Sequence, residues 1–348
     1  WGATSQDAMD TGLVLQLRQA LSIIEEDLEA LSDALARQVE AYRSTPLAGR
    51  TWLQQAPPVT LGLKVAGWLS AVERHRQRLR ELRPRLRAVQ LGGAVGTLAA
   101  LEDKGLAVAE ALAEELDLAL PDSPWHTHRD RIAEVATVLG LLVGTLGKIA
   151  RDISLLMQTE AGEVFEPAAA GKGGSSTMPH KRNPVGAAAV LAAALRVPAL
   201  VSTMLAAMVQ EHERGLGNWH AEWETLPEIV RLAAGALAQI RQIVEGMEVD
   251  APRMARNLDI TRGLVLAEAV TMALGRHIGR QNAHHRVEQA SRQAVAQNRH
   301  LREVLGADPQ VSRHLSAADL DRLLDPANYT GQADALAQRV LAARKGGE

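Results

Sequence analysis

The chain has 348 residues and a formal net charge of −3, enough length for two or three domains and a charge balance unlike that of a dedicated nucleic-acid binder. It has no cysteine, which excludes disulfide scaffolds, thiolate metal sites and cysteine catalysis. Apolar residues make up 47% but aromatics only 3%, so the core must be built from Ala, Leu and Val, and the long stretches without Gly or Pro predict an all-α protein.

The first residues, Trp1-Gly2-Ala3-Thr4-Ser5, include no initiator Met and form neither a basic nor an apolar leader. From Asp10 to Tyr42, Leu13, Leu17, Leu21, Ile24, Leu28, Leu31, Leu35 and Val39 recur at three- and four-residue steps, the pattern of one long amphipathic helix close to coiled-coil geometry. Ser44–Pro58, broken by Pro46, Gly49, Pro57 and Pro58, reads as a loop. A second long helix is expected from Thr60 to Val89. Its basic run Arg74-His75-Arg76-Gln77-Arg78 reads as a solvated or inter-subunit face rather than a nucleic-acid stripe.

Gly92-Gly93-Ala94-Val95-Gly96-Thr97 is a turn and, with no strand before it, a poor phosphate loop. A helix over Lys104–Leu116 follows. Ser123 and Pro124 then have the residue types of an N-cap and first helical position for a third long helix to Gln158, burying Val138, Leu142, Leu146, Ile149 and Ile153. Ala161–Asn183 breaks the pattern, and a loop that long is usually functional or disordered.

Helices over Pro184–Val209 and Trp219–Met247 come next, with kinks expected at Pro198 and Pro227. Two apolar runs need checking as membrane spans. Val135–Gly147 is too short, and Val185–Val209, with Arg196 and Pro198 inside it, reads as a fully buried bundle helix. Shorter helices are expected over Ala251–Asn257, Gly263–Ile278, Asn282–Gln297 and Ser316–Leu324, with Asp250 as an N-cap and a capping box at Ser316/Asp319. The change of character sets a domain boundary, 1–247 against 248–348.

The loop carries the chemistry. Its glycines let backbone N–H groups approach an anion, and Ser175 and Ser176 offer a nucleophile or base. Lys172 and Lys181 are two of only six lysines in an arginine-dominated chain, and lysine suits a point-charge contact to a carboxylate. The helix starting at Pro184 should add its N-terminal partial charge at the same place. A polar linker is the alternative.

Gly174-Ser175-Ser176-Thr177-Met178-Pro179-His180-Lys181-Arg182-Asn183-Pro184 resembles the signature of the fumarase/aspartase superfamily. Gly2-Ala3-Thr4-Ser5-Gln6-Asp7 with Asp10-Thr11 resembles the family's first conserved region, and Gly49-Arg50-Thr51-Trp52-Leu53-Gln54-Gln55-Ala56-Pro57-Pro58 its second. The resemblance spans the whole chain. It implies a homotetrameric long-helix bundle with a smaller C-terminal helical domain, active sites shared between subunits, and no metal or organic cofactor. It also implies an N-terminal domain ahead of the first region, expected to be missing here.

Family members break or form a bond β to a carboxylate through a doubly charged aci-carboxylate, which demands preorganised donors and cations. Carried over, Ser175 is the base, Lys181 and Asn183 hold the carboxylate, and Thr4 and Ser5 come from another subunit. Arg50, Thr51, Gln54 and Arg214 are expected to hold further substrate groups. His220 is the best polar candidate among the histidines, while His126, His128 and the His284-His285 pair read as structural.

Two departures narrow the reaction. Most members carry a general-acid histidine where this chain has Trp52, and no histidine is nearby. A leaving amine or hydroxide needs that proton, whereas a leaving carboxylate, of pKa about 4, does not. That points to lactone opening or closing on a small tricarboxylate. Trp223 stands where adenylosuccinate lyase is similar but places a phosphate-binding arginine. An adenylosuccinate-type β-elimination and a catalytically silent helical scaffold are the rival readings. Either way the chain is expected to be cytoplasmic, without nucleic-acid or membrane partners.

Overall fold

A computed structural model of the chain describes residues 1–168, 173–175 and 177–346. Lys172 and Ser176, singled out above, lie outside the described residues. The architecture is all-α with two short antiparallel ribbons. Helix α1 spans Ser5–Ala41, α2 Leu61–Leu86, α3 Gly105–Glu115, α4 Asp130–Leu156, α5 Val185–Ala206 and α6 Asn218–Glu245. Helices α7 Ala251–Leu258, α8 Ala267–Ile278, α9 Arg280–Gln297, α10 Leu301–Ala307, α11 Pro309–Ser312, α12 Ala317–Leu323 and α13 Ala333–Gly346 follow.

The chain divides into two compact units that are discontinuous in sequence. One holds 1–34, 70–154 and 166–247; the other holds 35–69, 155–165 and 248–348. The single cut at 247/248 drawn from the sequence therefore leaves two segments, 35–69 and 155–165, on the other side. Both form backbone ribbons within the second unit. Strands β1 (Pro46–Thr51) and β2 (Gln54–Thr60) make one, and β3 (Val164–Phe165) pairs with β4 (Glu248–Val249) in the other.

The first unit is a long-helix core. On α1, seven of the eight periodic residues, from Leu17 to Val39, are at most 3% exposed; Leu13 is only half-buried, and Val14 fills the first core position. On α4 the expected stripe from Val138 to Ile153 is buried. Gly140 and Gly147, two turns apart on α4, let α5 approach closely: a Cβ at Gly147 would lie 2.7 Å from that of Ala194, and one at Gly140 would lie 2.9 Å from Val201. Helices α5 and α6 continue through Pro198 and Pro227.

Helix α5 is not the fully buried helix expected. Only 28% of its most apolar stretch is buried, against 61% for α4, and Leu195 is 81% exposed. By length and composition alone, both helices could cross a membrane, α4 included although its core run looked too short. Burial makes α4 a core helix.

The stretch 44–58 is a hairpin rather than a loop. Its prolines are accommodated because the register slips between Ala48 and Gly49, so that Ala48 faces Pro58, Gly49 faces Ala56, and Pro57 has no partner. Gly49 is required there, since a Cβ would meet the Pro57 carbonyl oxygen at 2.5 Å.

Helix α4 begins at Asp130, seven residues after the expected cap at Ser123. Tertiary hydrogen bonds override the local start signal: the Trp125 backbone N–H donates to Gln90 Oε1 and its indole to the Val89 carbonyl, each at 3.0 Å. In the second unit the Asp250 N-cap and the Ser316/Asp319 capping box form as expected, while α10, α11 and α13 were not foreseen.

Candidate active site

The Thr4–Ser5 segment is built from the inside out. Asp7 is 2% exposed, and its carboxylate accepts the N–H groups of Thr4 (2.9 Å), Gly92 and Gly93 (both 3.0 Å) and of His126 Nε2 (2.7 Å). Burial pushes this carboxyl up, but the His126 bond and the three amides outweigh it and hold Asp7 below its ordinary value. The Gly92-Gly93 turn does cradle an anion, and the anion is Asp7 itself.

Beside it lies a buried ionic cluster. Arg129 Nη1 and Nη2 donate to Asp10 at 2.8 and 3.0 Å, and its Nε and Nη2 donate to Glu222 at 2.9 and 2.6 Å. Asp10 also accepts from the Trp219 indole at 3.3 Å and from Gln6 Nε2 at 3.1 Å. Burial pushes Glu222 up; Arg129 pulls it back, but neighbouring Asp10 adds to the rise. Burial opposes the charge on Arg129, yet the two carboxylates raise its pKa. This cluster ties α1 to α6 through the residue just ahead of α4, and at its edge Arg214 donates to Thr4 Oγ1 (2.9 Å) and Gln6 Oε1 (2.7 Å).

His220 is exposed, with its ring 4.6 Å from that of Trp223 and 5.4 Å from that of Trp219. These tryptophans line a cleft of about 440 Å³ between α1 and α6, walled by Met9, Leu13 and Pro227 and floored by Asp10 and Glu222.

In the signature loop, Ser175 Oγ accepts the backbone N–H groups of Thr177 (3.3 Å) and Met178 (3.1 Å). The Lys181 N–H donates to the Met178 carbonyl at 3.0 Å, and the Asn183 N–H to the Gly173 carbonyl at 2.8 Å. Ser175 and Asn183 are half-buried and Lys181 is exposed. Among the described residues, no hydrogen bond joins these three to Thr4, Ser5 or Arg214.

The amides at the start of α5 are not free for a ligand. Glu166 accepts those of Gly186 and Ala187 at 3.0 and 2.7 Å, and its carbonyl accepts Arg182 Nη2 at 2.5 Å. The expected contribution of this helix end to anion binding is thus already taken by a side chain.

The second unit carries Arg50, Thr51 and Gln54. Thr51 and Gln54 pair across the ribbon and bracket a two-residue turn, Trp52-Leu53, whose φ values of 52° and 64° are both left-handed. Trp52 is 96% exposed and Leu53 75% exposed. Such turns favour Asn-Gly; here two large apolar residues hold the strained positions. Arg50 was expected to hold substrate. Instead its two Nη atoms grip the fully buried Glu163 at 2.8 and 2.9 Å. Asn257 Nδ2 donates to the same carboxylate at 2.7 Å. Arg50, paired with Gln55 next to the turn, ties the tip end of the hairpin to Glu163.

Sequence reasoning missed Asp7, Asp10, Arg129, Glu222, Glu163 and Glu166 as functional supports. Their signal was available only as charge embedded in otherwise apolar or motif stretches. Among the described residues, no three His, Asp or Glu side chains come together as metal ligands.

The architecture is that of a lyase, and comparison with known proteins agrees. A model described as "Lyase" matches residues 1–199, and one described as "Adenylosuccinate lyase C-terminus" matches 263–340. The chain belongs to this lyase family, within the fumarase/aspartase superfamily. It is 67% identical to 3-carboxy-cis,cis-muconate cycloisomerase of Pseudomonas aeruginosa, over 98% of this chain and 74% of that protein. It is 54% identical to the cycloisomerase of the same name from Bradyrhizobium diazoefficiens, over 98% of this chain and 76% of that one. The crystal structure of the 3-carboxy-cis,cis-muconate lactonizing enzyme from Pseudomonas putida superposes with a TM-score of 0.95 at 63% identity, covering 99% of this chain and 77% of that chain.

Proposed function

We propose that the chain is a cycloisomerase interconverting 3-carboxy-cis,cis-muconate and 4-carboxymuconolactone, a step in aromatic catabolism. The relatives at 54–67% identity support the activity, and one feature of this chain carries the argument: the tip of the second motif is Trp52, whose indole N–H is far too weak an acid to serve as a general acid. Lactone chemistry needs none there, because the group that adds or leaves is a carboxylate.

In the lactonising direction, a terminal carboxylate oxygen attacks the carboxyl-bearing carbon at the far double bond. The π electrons move to the adjacent carbon, whose own carboxylate takes up the charge as an aci-carboxylate. The proton then comes from Ser175 Oγ, leaving an alkoxide. The two backbone N–H groups aimed at Ser175 Oγ stabilise that alkoxide, as they would the serine base in the reverse direction. Lys181 and Asn183 hold the doubly charged carboxylate; Thr4 and Ser5 hold a second one. Thr51 and Gln54 flank the Trp52 tip, and His220 packs against the two tryptophans that line the cleft.

This reading draws Thr4 and Ser175 from different copies in a homotetramer. The exposed apolar face of α5 supports self-association, as do Val209 and Leu216 just beyond it, 76% and 86% exposed. It also takes the protein as soluble and cytoplasmic, with neither nucleic acid nor membrane as partner.

The test is turnover by the purified chain, followed as loss of diene absorbance. 3-Carboxy-cis,cis-muconate should be consumed and adenylosuccinate left intact. Ser175→Ala should lower kcat by about a thousandfold or more, the scale of a lost general acid–base together with its preorganised surroundings. Turnover of adenylosuccinate alone would replace this reading with β-elimination. Full activity in the Ser175→Ala variant would remove the serine from the mechanism.

A further inference from the structure

We propose that Arg214 is a positioning residue that occupies one lone pair of the Thr4 hydroxyl and leaves its proton to donate to a substrate carboxylate. The inference rests on Thr4 being a carboxylate ligand, as in the function proposed above, and it gives Arg214 a different role from direct substrate binding.

The argument is one of donors and acceptors. A guanidinium only donates. Arg214 Nη1 donates to Thr4 Oγ1 at 2.9 Å, so the Thr4 oxygen is the acceptor and its own proton must point elsewhere. Among the described residues, no acceptor receives that proton. Arg214 Nε donates to Gln6 Oε1 at 2.7 Å, and the amide cannot turn over, because Gln6 Nε2 is held by the His126 carbonyl at 2.9 Å and by Asp10 at 3.1 Å. Gln6 is 1% exposed and Asp10 1% exposed. The guanidinium is thus fixed by a buried network, and the Thr4 backbone is fixed by Asp7.

Thr4 is the half-buried end of this network. Its O–H, which no acceptor takes among the described residues, lies next to a full positive charge. Both features select an anion with an acceptor oxygen. Without Arg214, the hydroxyl loses the charged donor that orients it and the positive charge beside the ligand.

The experiment is a double-mutant cycle on binding of 4-carboxymuconolactone, read by calorimetry, with kcat and KM for the forward reaction. The proteins are wild type, Thr4→Val, Arg214→Met, the double variant and Thr4→Ser, each checked for retained fold by circular dichroism. Thr4→Val and Arg214→Met should each weaken binding by about tenfold to a hundredfold, the range for a hydrogen bond to a charged group. The double variant should be no more than about threefold weaker than the worse single one, because both remove the same contact. Thr4→Ser, which keeps the hydroxyl, should stay within about threefold of wild type on the same scale.

Losses that multiply in the double variant would mean that Arg214 touches the ligand itself or acts through general structure, and would overturn the proposal. So would wild-type affinity in Arg214→Met. If Thr4→Val binds like wild type, the underlying assignment of Thr4 fails. If wild type does not turn over 3-carboxy-cis,cis-muconate, the functional reading fails. Each takes this proposal with it, by a different readout.

Discussion

Replacing Arg129 by methionine should destabilise the protein as much as truncating a buried leucine on α1. Arg129 is 2% exposed and makes four hydrogen bonds to two carboxylates that are themselves 1% and 3% exposed. Methionine fills much of the volume but leaves Asp10 and Glu222 buried without a counter-ion. Breaking such a buried pair from one side costs about 3–5 kcal/mol. Part of that is recoverable by protonation, and Glu222 is the group that takes the proton, since burial and Asp10 already push its pKa up.

The sign follows. A carboxyl whose folded pKa is raised binds more protons folded than unfolded, so its contribution to stability falls as pH rises. The loss in Arg129→Met should therefore be larger at pH 8 than at pH 5. Urea unfolding followed by circular dichroism, at fixed protomer concentration, measures it. An unfolding free energy within about 0.5 kcal/mol of wild type, or a loss independent of pH, would refute the idea that this cluster is an under-neutralised ionic core.

Other expectations concern separate parts of the molecule. His75, 4% exposed and hydrogen-bonded to Thr145 Oγ1 at 2.8 Å, has its pKa pushed down to about 4 by burial and by Arg78 and Arg74. Its unfolded form takes up a proton near 6.5 while the folded form does not. Stability should fall by about 3 kcal/mol as pH drops from 6.5 towards 4, and His75→Gln should flatten that part of the profile in thermal melts across pH. If the copies associate through the exposed face of α5, as proposed, Leu195→Glu should lower the mass seen in light scattering with little change in helix content; an unchanged oligomeric mass would assign the contact to another surface, and a monomeric wild type would remove the proposed tetramer. Trp52→Asn with Leu53→Gly relieves two left-handed non-glycine residues and should raise the melting temperature by an amount equivalent to about 2 kcal/mol. The same double change should lower kcat/KM if the tip serves the reaction.

How much of this was legible in the sequence depends on how local its cause is. The α1 stripe from Leu17 to Val39 and the α4 stripe from Val138 to Ile153 were readable because a 3.6-residue period is a property of the segment itself. So were the Asp250 and Ser316 caps, which involve partners three residues away. The hairpin at 46–60 was not, because its prolines argue against strands unless a bulge removes one from the ladder, and Gly49, which the slip requires, reads equally well as a loop residue. Ser123-Pro124 carried a valid helix-start signal that lost to hydrogen bonds from Trp125 and Arg129 to distant chain segments.

The candidate site divides in the same way. Ser175, Lys181 and Asn183 stood out in a motif. What the motif could not reveal is that Glu166 occupies the amides of α5, that Glu163 takes up Arg50, and that Asp7 fills the Gly92-Gly93 turn. Each of these is a carboxylate meeting its donors across a long stretch of chain, and only the folded arrangement pairs them.

The most direct measurement is the fate of one hydrogen. If the reaction passes through an aci-carboxylate protonated by Ser175, lactone formed by wild type in D₂O carries a single deuteron on one face of the methylene beside the carboxylate, and Ser175→Ala forms almost none. Lactone formed at an undiminished rate without Ser175, or labelled on both faces, would contradict it.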